Sequence, residues 1–139
     1  MSQYNLDTLR HSTAHLMAQA IQELYPTETV KLGIGPTIEN GFYYDVDLAT
    51  RILDEDLKGI EKKMKEIIKR ADVITRFEVS REEALKVFAE RGQEYKIELI
   101  HDLADSEVIS YYTQGDHFID LCKGPHVETT KELNFNFKL

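Results

Sequence analysis

Residues 107–122, E-V-I-S-Y-Y-T-Q-G-D-H-F-I-D-L-C, decide how the chain is read. Two runs rich in β-branched and aromatic residues, Glu107 to Tyr112 and His117 to Cys122, flank Gln114-Gly115-Asp116. That pattern signals two antiparallel strands joined by a tight turn. Upstream, Val73 to Val79 and Tyr95 to Ile100 have strand-like composition as well, so the second half of the chain predicts an antiparallel sheet. Nearer the N-terminus, V-K-L-G-I-G-P-T-I-E-N-G-F-Y-Y-D-V-D-L (30–48) reads as a hairpin. Its strands are Val30 to Ile34 and Phe42 to Val46, and G-P-T-I-E-N-G holds the turn chemistry.

Helical periodicity fills the remainder. From Leu6 to Tyr25, the residues Leu9, Leu16, Met17, Ala20, Ile21 and Leu24 recur at helical spacing, with Asp7 or Thr8 as cap and Pro26 as stop. A second helix is expected from about Asp54 to Arg70, with Leu57, Ile60, Met64, Ile67 and Ile68 as its buried stripe. Lys58, Lys62, Lys63, Lys65 and Lys69 fall mostly elsewhere on it and read as a solvated face. Ser80 with Glu83 forms a capping box that opens a third helix to about Glu90. The sum is an α+β fold, helices packed on a largely antiparallel β-sheet, in a single domain covering residues 1–139.

Composition bounds the function. A chain of 139 residues with 42% hydrophobic and 30% charged residues has the balance of one globular domain, which excludes intrinsic disorder. No apolar run approaches the ~20 residues of a membrane helix. The opening M-S-Q-Y-N-L-D-T-L-R-H-S lacks the basic flank and apolar stretch of a secretory leader. Cys122 is the only cysteine, which rules out an internal disulfide and favours a reducing, cytoplasmic setting. Net charge is −8, so a broad phosphate-gripping surface is not expected, and the chain alone should bind RNA weakly. The closing K-E-L-N-F-N-F-K-L (131–139) places Phe135, Phe137 and Leu139 where they need cover; it reads as a cut inside a longer protein or as a tail docked on the core.

Two short pairs carry chemistry. His11 and His15, in H-S-T-A-H, stand one turn apart on one helix face. Cys122 and His126, in C-K-G-P-H, lie at the end of the last strand and in the turn after it. Together they offer three imidazoles and a thiolate, donors suited to zinc at neutral pH, provided the fold joins pairs more than a hundred residues apart. The metalloprotease motif H-E-x-x-H is excluded, because its glutamate is missing. His101 and His117 have no such partner and read as structural or exposed.

R-H-S-T-A-H-L-M-A-Q-A-I (10–21), G-I-G-P-T-I-E-N-G-F-Y-Y-D (33–45) and F-I-D-L-C-K-G-P-H (118–126) together resemble the editing domain of threonyl-tRNA synthetase. The H-x-x-x-H and C-x-x-x-H pairs are shared with the related alanyl-tRNA synthetase editing domain. The long G-P-T-I-E-N-G-F-Y-Y-D block and Gly124-Pro125 point to the threonyl branch. The resemblance implies hydrolysis of serine from mischarged tRNA(Thr), sparing threonine, by one domain of a longer synthetase whose synthetic and anticodon-binding domains lie elsewhere. Implied partners are the serine-bearing 3′ end of tRNA(Thr) and those other domains, in a full-length homodimer with no membrane role.

The implied site comprises His11, His15, Cys122 and His126, with Asp120 from D-L-C and Lys96 from Y-K-I-E. Tyr112 (with Tyr111 as rival) and the backbone of Gly35 are implied to bind substrate. Two mechanisms fit. In one, the four Cys/His side chains hold zinc, which orients water or anchors substrate. In the other, the site is metal-free and a neutral His11 or His15 acts as base. Lys96 would stabilise developing negative charge or hold the ribose, and Asp120 would hold the substrate ammonium or orient a histidine. The competing classes are a non-catalytic, zinc-stabilised tRNA-binding module and an assembly domain that has lost activity.

Overall fold

A computed structural model describes residues 4–26, 29–133 and 137–139. Helix α1 spans Leu6–Leu24 and is capped by Asn5, whose side chain accepts from the Thr8 N–H, rather than by Asp7 or Thr8. Its buried residues include Ala14, His15, Leu16, Ala18, Ala20 and Ile21, whereas Leu24, expected in the stripe, is 40% exposed. The helix stops there, two residues before Pro26.

The 30–48 hairpin exists but is broken into two short ladders. Strand β1 (Lys31–Leu32) pairs with β4 (Val46–Asp47), and β2 (Thr37–Ile38) pairs with β3 (Gly41–Phe42), all antiparallel. The turn is therefore tighter than the G-P-T-I-E-N-G stretch, and only Glu39 and Asn40 lie between β2 and β3. Gly35 and Pro36 interrupt the ladder because Gly35 lies against the Tyr44 ring; a Cβ there would come within 2.2 Å of Tyr44 Cδ2.

A 3₁₀ turn at Asp54–Asp56 leads into α2 (Leu57–Arg70), which buries Ile60, Met64, Ile67 and Ile68 as expected. Strand β5 (Ile74–Val79) follows, then α3 (Arg81–Glu90), whose cap Ser80 accepts from the Glu83 N–H. Helix α4 occupies Glu94–Asp102, where a strand was expected from Tyr95 to Ile100. The residues buried there are Gln93, Lys96 and Ile100, a three-to-four-residue spacing that two polar side chains conceal from a hydrophobicity reading. Strands β6 (Ile109–Gln114) and β7 (Phe118–Leu121) complete a three-stranded antiparallel sheet ordered β5-β6-β7.

That sheet separates two cores, and strand alternation decides which side chain joins which. Ile74, Tyr112 and Phe118 face α1 and α2 in the larger cluster, which Phe137 and Leu139 also cover. Phe137 and Leu139 thus pack on the core, while Phe135 lies outside the described residues. Ile109, Tyr111, Ile119 and Leu121 face the opposite way, onto Ala84 and Phe88 of α3 and Ile100 of α4. The fold is mixed α+β in one small domain, with its strands antiparallel.

Gln93, the residue that caps α4, ties it to the hairpin from the buried side, while Glu94 and Tyr95 reach Lys31 and Asp47 at the exposed side. Gln93 Oε1 accepts from the Leu32 N–H at 2.7 Å, and Gln93 Nε2 donates to the Val30 carbonyl at 2.7 Å. Val30 and Leu32 are buried, so truncating Gln93 strands one donor and one acceptor away from water. Gln93→Ala should lower unfolding free energy by about 2–4 kcal/mol in urea titration. Glu94→Ala, which removes the exposed pair with Lys31, should leave the urea midpoint close to that of the wild type.

Candidate active site and metal centre

Helix α1, the end of β7 and the turn after it converge on one cluster. The candidate ligand atoms of His11, His15, Cys122 and His126 all lie within 4.8 Å of one another. Cys122 Sγ is 3.3 Å from His11 Nε2 and 3.3 Å from His126 Nε2, and it accepts from the Gly124 N–H at 3.3 Å. The His126 ring stands 4.4 Å from those of both His11 and His15.

Gly124 enables this turn. Its φ of +83° is a left-handed conformation that only glycine adopts without strain, and a Cβ would meet Tyr112 Oη at 2.1 Å. The following Gly124–Pro125 bond is cis. Tyr112 lies opposite Asp120 in the β6–β7 register, and its ring is 4.5 Å from that of His126. Tyr111 projects to the other face of the sheet, against Phe77 and Phe88, so Tyr112 is the tyrosine at the cluster.

Asp120 forms the floor. It is fully buried and is met by three groups, each from a different element. His15 Nδ1 of α1 lies 2.8 Å from Oδ2, Lys96 Nζ of α4 lies 2.8 Å from Oδ1, and the Tyr44 hydroxyl donates to Oδ2. Lys96 is itself only 3% exposed and sits 5.5 Å from the Tyr44 ring centroid.

Sequence reasoning gave no role to Tyr44, although it lies within the quoted G-F-Y-Y-D block; nothing in that block tells Tyr44 from its exposed neighbour Tyr43. Ser12 was missed too. Its Oγ accepts from the Val127 N–H at 3.1 Å and shares a 2.9 Å hydrogen bond with His126 Nδ1. Gly35 touches the site through Tyr44, for which it makes room. His101 and His117 are exposed.

These contacts set protonation. Burial alone would raise the Cys122 thiol, but hydrogen bonding from His11, His126 and His15 outweighs it and brings the pKa down to about 4. Burial would lower His15, but the Asp120 charge and hydrogen bond push it up to about 9. Burial holds His126 near 4, hence neutral. Asp120, despite its burial, is held well below the carboxylate range by Lys96 and His15. At neutral pH without metal, Cys122 is a thiolate beside an imidazolium at His15. That departs from the neutral His15 expected as a base, because the Asp120 carboxylate keeps its proton in place.

The donor set also fits zinc. Asp120 holds His15 at Nδ1 and Ser12 holds His126 at Nδ1, leaving each Nε2 free to face the sulfur, the outer-sphere arrangement usual for ligating imidazoles. Sulfur-to-nitrogen separations of 3.3 Å suit a tetrahedral ion.

A family profile described as "Threonyl and Alanyl tRNA synthetase second additional domain" matches residues 109–139. The threonine–tRNA ligase of Clostridioides difficile (strain 630) is 55% identical over 91% of this chain and 19% of its own length. That of Aquifex aeolicus (strain VF5) is 55% identical over 93% and 20%, and that of Sulfurihydrogenibium sp. (strain YO3AOP1) is 56% identical over 97% and 21%. These matches identify the chain with a tRNA synthetase additional domain. Within that class, the chain aligns with a segment of threonine–tRNA ligases, and it spans about a fifth of the length of the curated relatives it matches. Among the described residues no helix is long and apolar enough to cross a membrane.

Thiol titration tests the electrostatics. In chelator-treated protein, the rate of Cys122 alkylation by iodoacetamide should stay level as pH falls below the ordinary thiol pKa of about 8.5. It should drop only near pH 4, because the thiolate persists until protonated. His15→Asn removes the adjacent cation and should move that midpoint upward. A wild-type midpoint near 8.5 would contradict the ion-paired cluster.

Proposed function

We propose that this domain hydrolyses the aminoacyl ester of seryl-tRNA(Thr) and spares threonyl-tRNA(Thr), working in the cytoplasm with the other domains of a homodimeric synthetase. The observation that carries the reading is the union of a Cys/His cluster with a buried Lys96–Asp120–His15 array, beyond what a structural metal knot requires. In the reaction, a water oxygen bonds to the ester carbonyl carbon and gives up a proton. The tetrahedral intermediate then collapses, and the ribose oxygen departs as a hydroxyl by taking a proton.

The residues divide these tasks. Lys96 and His15, cations held by Asp120, supply positive charge for the developing oxyanion without reorganising. Asp120 is already engaged by two ion pairs and one hydroxyl, which supports its orienting role over direct capture of the substrate ammonium. His11, half-buried at the rim, orients and deprotonates water. We assign contact with the amino-acid side chain to Tyr112, whose ring packs on His126, and to Tyr44, for which Gly35 makes room. When bound, zinc would supply Lewis-acid polarisation or structural closure at His11, His15, Cys122 and His126.

One observation favours a second reading. The four candidate donors would fill a tetrahedral zinc site, whereas catalytic zinc keeps a position open. A zinc held by all four would make the domain a metal-stabilised tRNA-binding or assembly module.

Deacylation assays decide between the two. Serine should leave tRNA(Thr) faster than threonine by at least the ~10–200-fold that one methyl provides. Lys96→Ala should slow serine release by about 10²–10³-fold, as for the loss of an oxyanion donor. Chelation should leave hydrolysis intact if the thiolate–imidazolium form is the working one. Equal serine and threonine rates would leave a general deacylase. No hydrolysis with one zinc per chain would leave the module.

A further inference from the structure

We propose that a second copy of this chain pairs with the outer edge of β5, joining two three-stranded sheets into one of six strands. This inference is independent of the hydrolytic reading. Strand β5 pairs with β6 on one side only, and sheet order leaves it at the edge. On its outer side the Ile74 N–H donates to the Glu128 carbonyl, and Val73 bridges Thr129. Among the described residues, that segment covers the edge no further than Ile74, and α3 departs after Ser80. The open window is therefore Thr75–Val79, centred on Phe77, and Thr75, Arg76, Phe77 and Glu78 are all exposed.

The hydrogen-bond phase of this window suits a two-fold axis. Because the Ile74 N–H points outward and the Val73 carbonyl points inward to the Gly115 N–H, alternation turns the amides of Arg76 and Glu78 outward and that of Phe77 toward β6. An antiparallel pair centred on Phe77 sets Arg76 opposite Glu78 of the second copy, and Glu78 opposite its Arg76. Each such pair exchanges N–H and C=O, using the outward groups that β5 leaves free. Phe77 then meets its own counterpart in the non-hydrogen-bonded position, where side chains approach most closely.

The side chains agree with that register. Arg76 and Glu78 share one face and already pair with each other at 2.7 Å within the strand, so association adds two opposite-charge cross-strand contacts to that pair, whereas a like-charged edge would repel a copy of itself. On the other face Phe77 is 43% exposed although it stacks 5.4 Å from Tyr111, which in turn meets Phe88 at 6.3 Å. A second Phe77 continues this aromatic row and covers its open end. The axis stands perpendicular to the sheet, so both Cys/His clusters lie on the same face of the joined sheet.

Sedimentation equilibrium and amide exchange of the purified chain test the proposal. Self-association is expected, and rising protein concentration should slow exchange at the Arg76 and Glu78 amides while leaving that of Phe77 unchanged. Arg76→Glu and Glu78→Arg should each weaken the dimer by roughly tenfold, since each turns attraction into repulsion. The double exchange, which restores complementarity, should recover the wild-type dissociation constant. A chain that stays monomeric across the range, exchange at Arg76 and Glu78 insensitive to concentration, or a double variant weaker than either single one would overturn it.

Discussion

The buried carboxylate of Asp120 is the constraint on which the remaining geometry depends. It joins β7 to α1 through His15, to α4 through Lys96 and to the hairpin through Tyr44. Removing a carboxylate from water costs several kcal/mol even in a relaxed protein, roughly the scale of a small domain's whole stability. The charge is tolerable only because two cations and a hydroxyl meet it at once. A quartet of Asp120, Lys96, His15 and the Cys122 thiolate is electrically balanced, so the site concentrates charge without a net buried charge. Such an arrangement favours one relative placement of four elements over close alternatives, because any slip leaves a buried ion alone.

That constraint also explains which parts of the fold can be read from sequence. Helix α1, α2, the Ser80 cap and the β6–β7 hairpin follow periodicities that the chain states locally, and each lies within a few residues of its expected place. Residues 95–100 do not, since their inward face carries Lys96. A hydrophobicity pattern assigns lysine to solvent, and the alternation of Tyr95, Ile97 and Leu99 then imitates a strand. The true period appears only once the Lys96 counterion is known, and that counterion lies 24 positions away on β7.

The candidate site divides along the same line. His11, His15, Cys122 and His126 are legible because their residue types are rare and closely paired. Tyr44 and Ser12 are not, because tyrosine and serine are common and what distinguishes them is a contact made across the fold. Tyr112 is separated from Tyr111 only by β-strand parity: one faces His126 and the other the Phe88 core, and composition is blind to that parity.

A single cluster thus has two stable electrostatic forms. Without metal, Asp120 keeps a proton on His15 Nδ1 and the three imidazoles hold Cys122 as a thiolate. Were zinc held there, the same Asp120–His15 contact at Nδ1 would remain available and Nε2 would be the ligating atom. Asp120 and Ser12 therefore pre-orient the imidazoles for either state, and no backbone rearrangement need separate them. The difference lies in what remains for substrate. A closed tetrahedron consumes all four donors, whereas the ion-paired form leaves His11 at the rim and the Lys96–His15 cations directed inward. Hydrolysis by residues alone thus asks less of this geometry than hydrolysis on a metal, which would need one of the four ligands to let go.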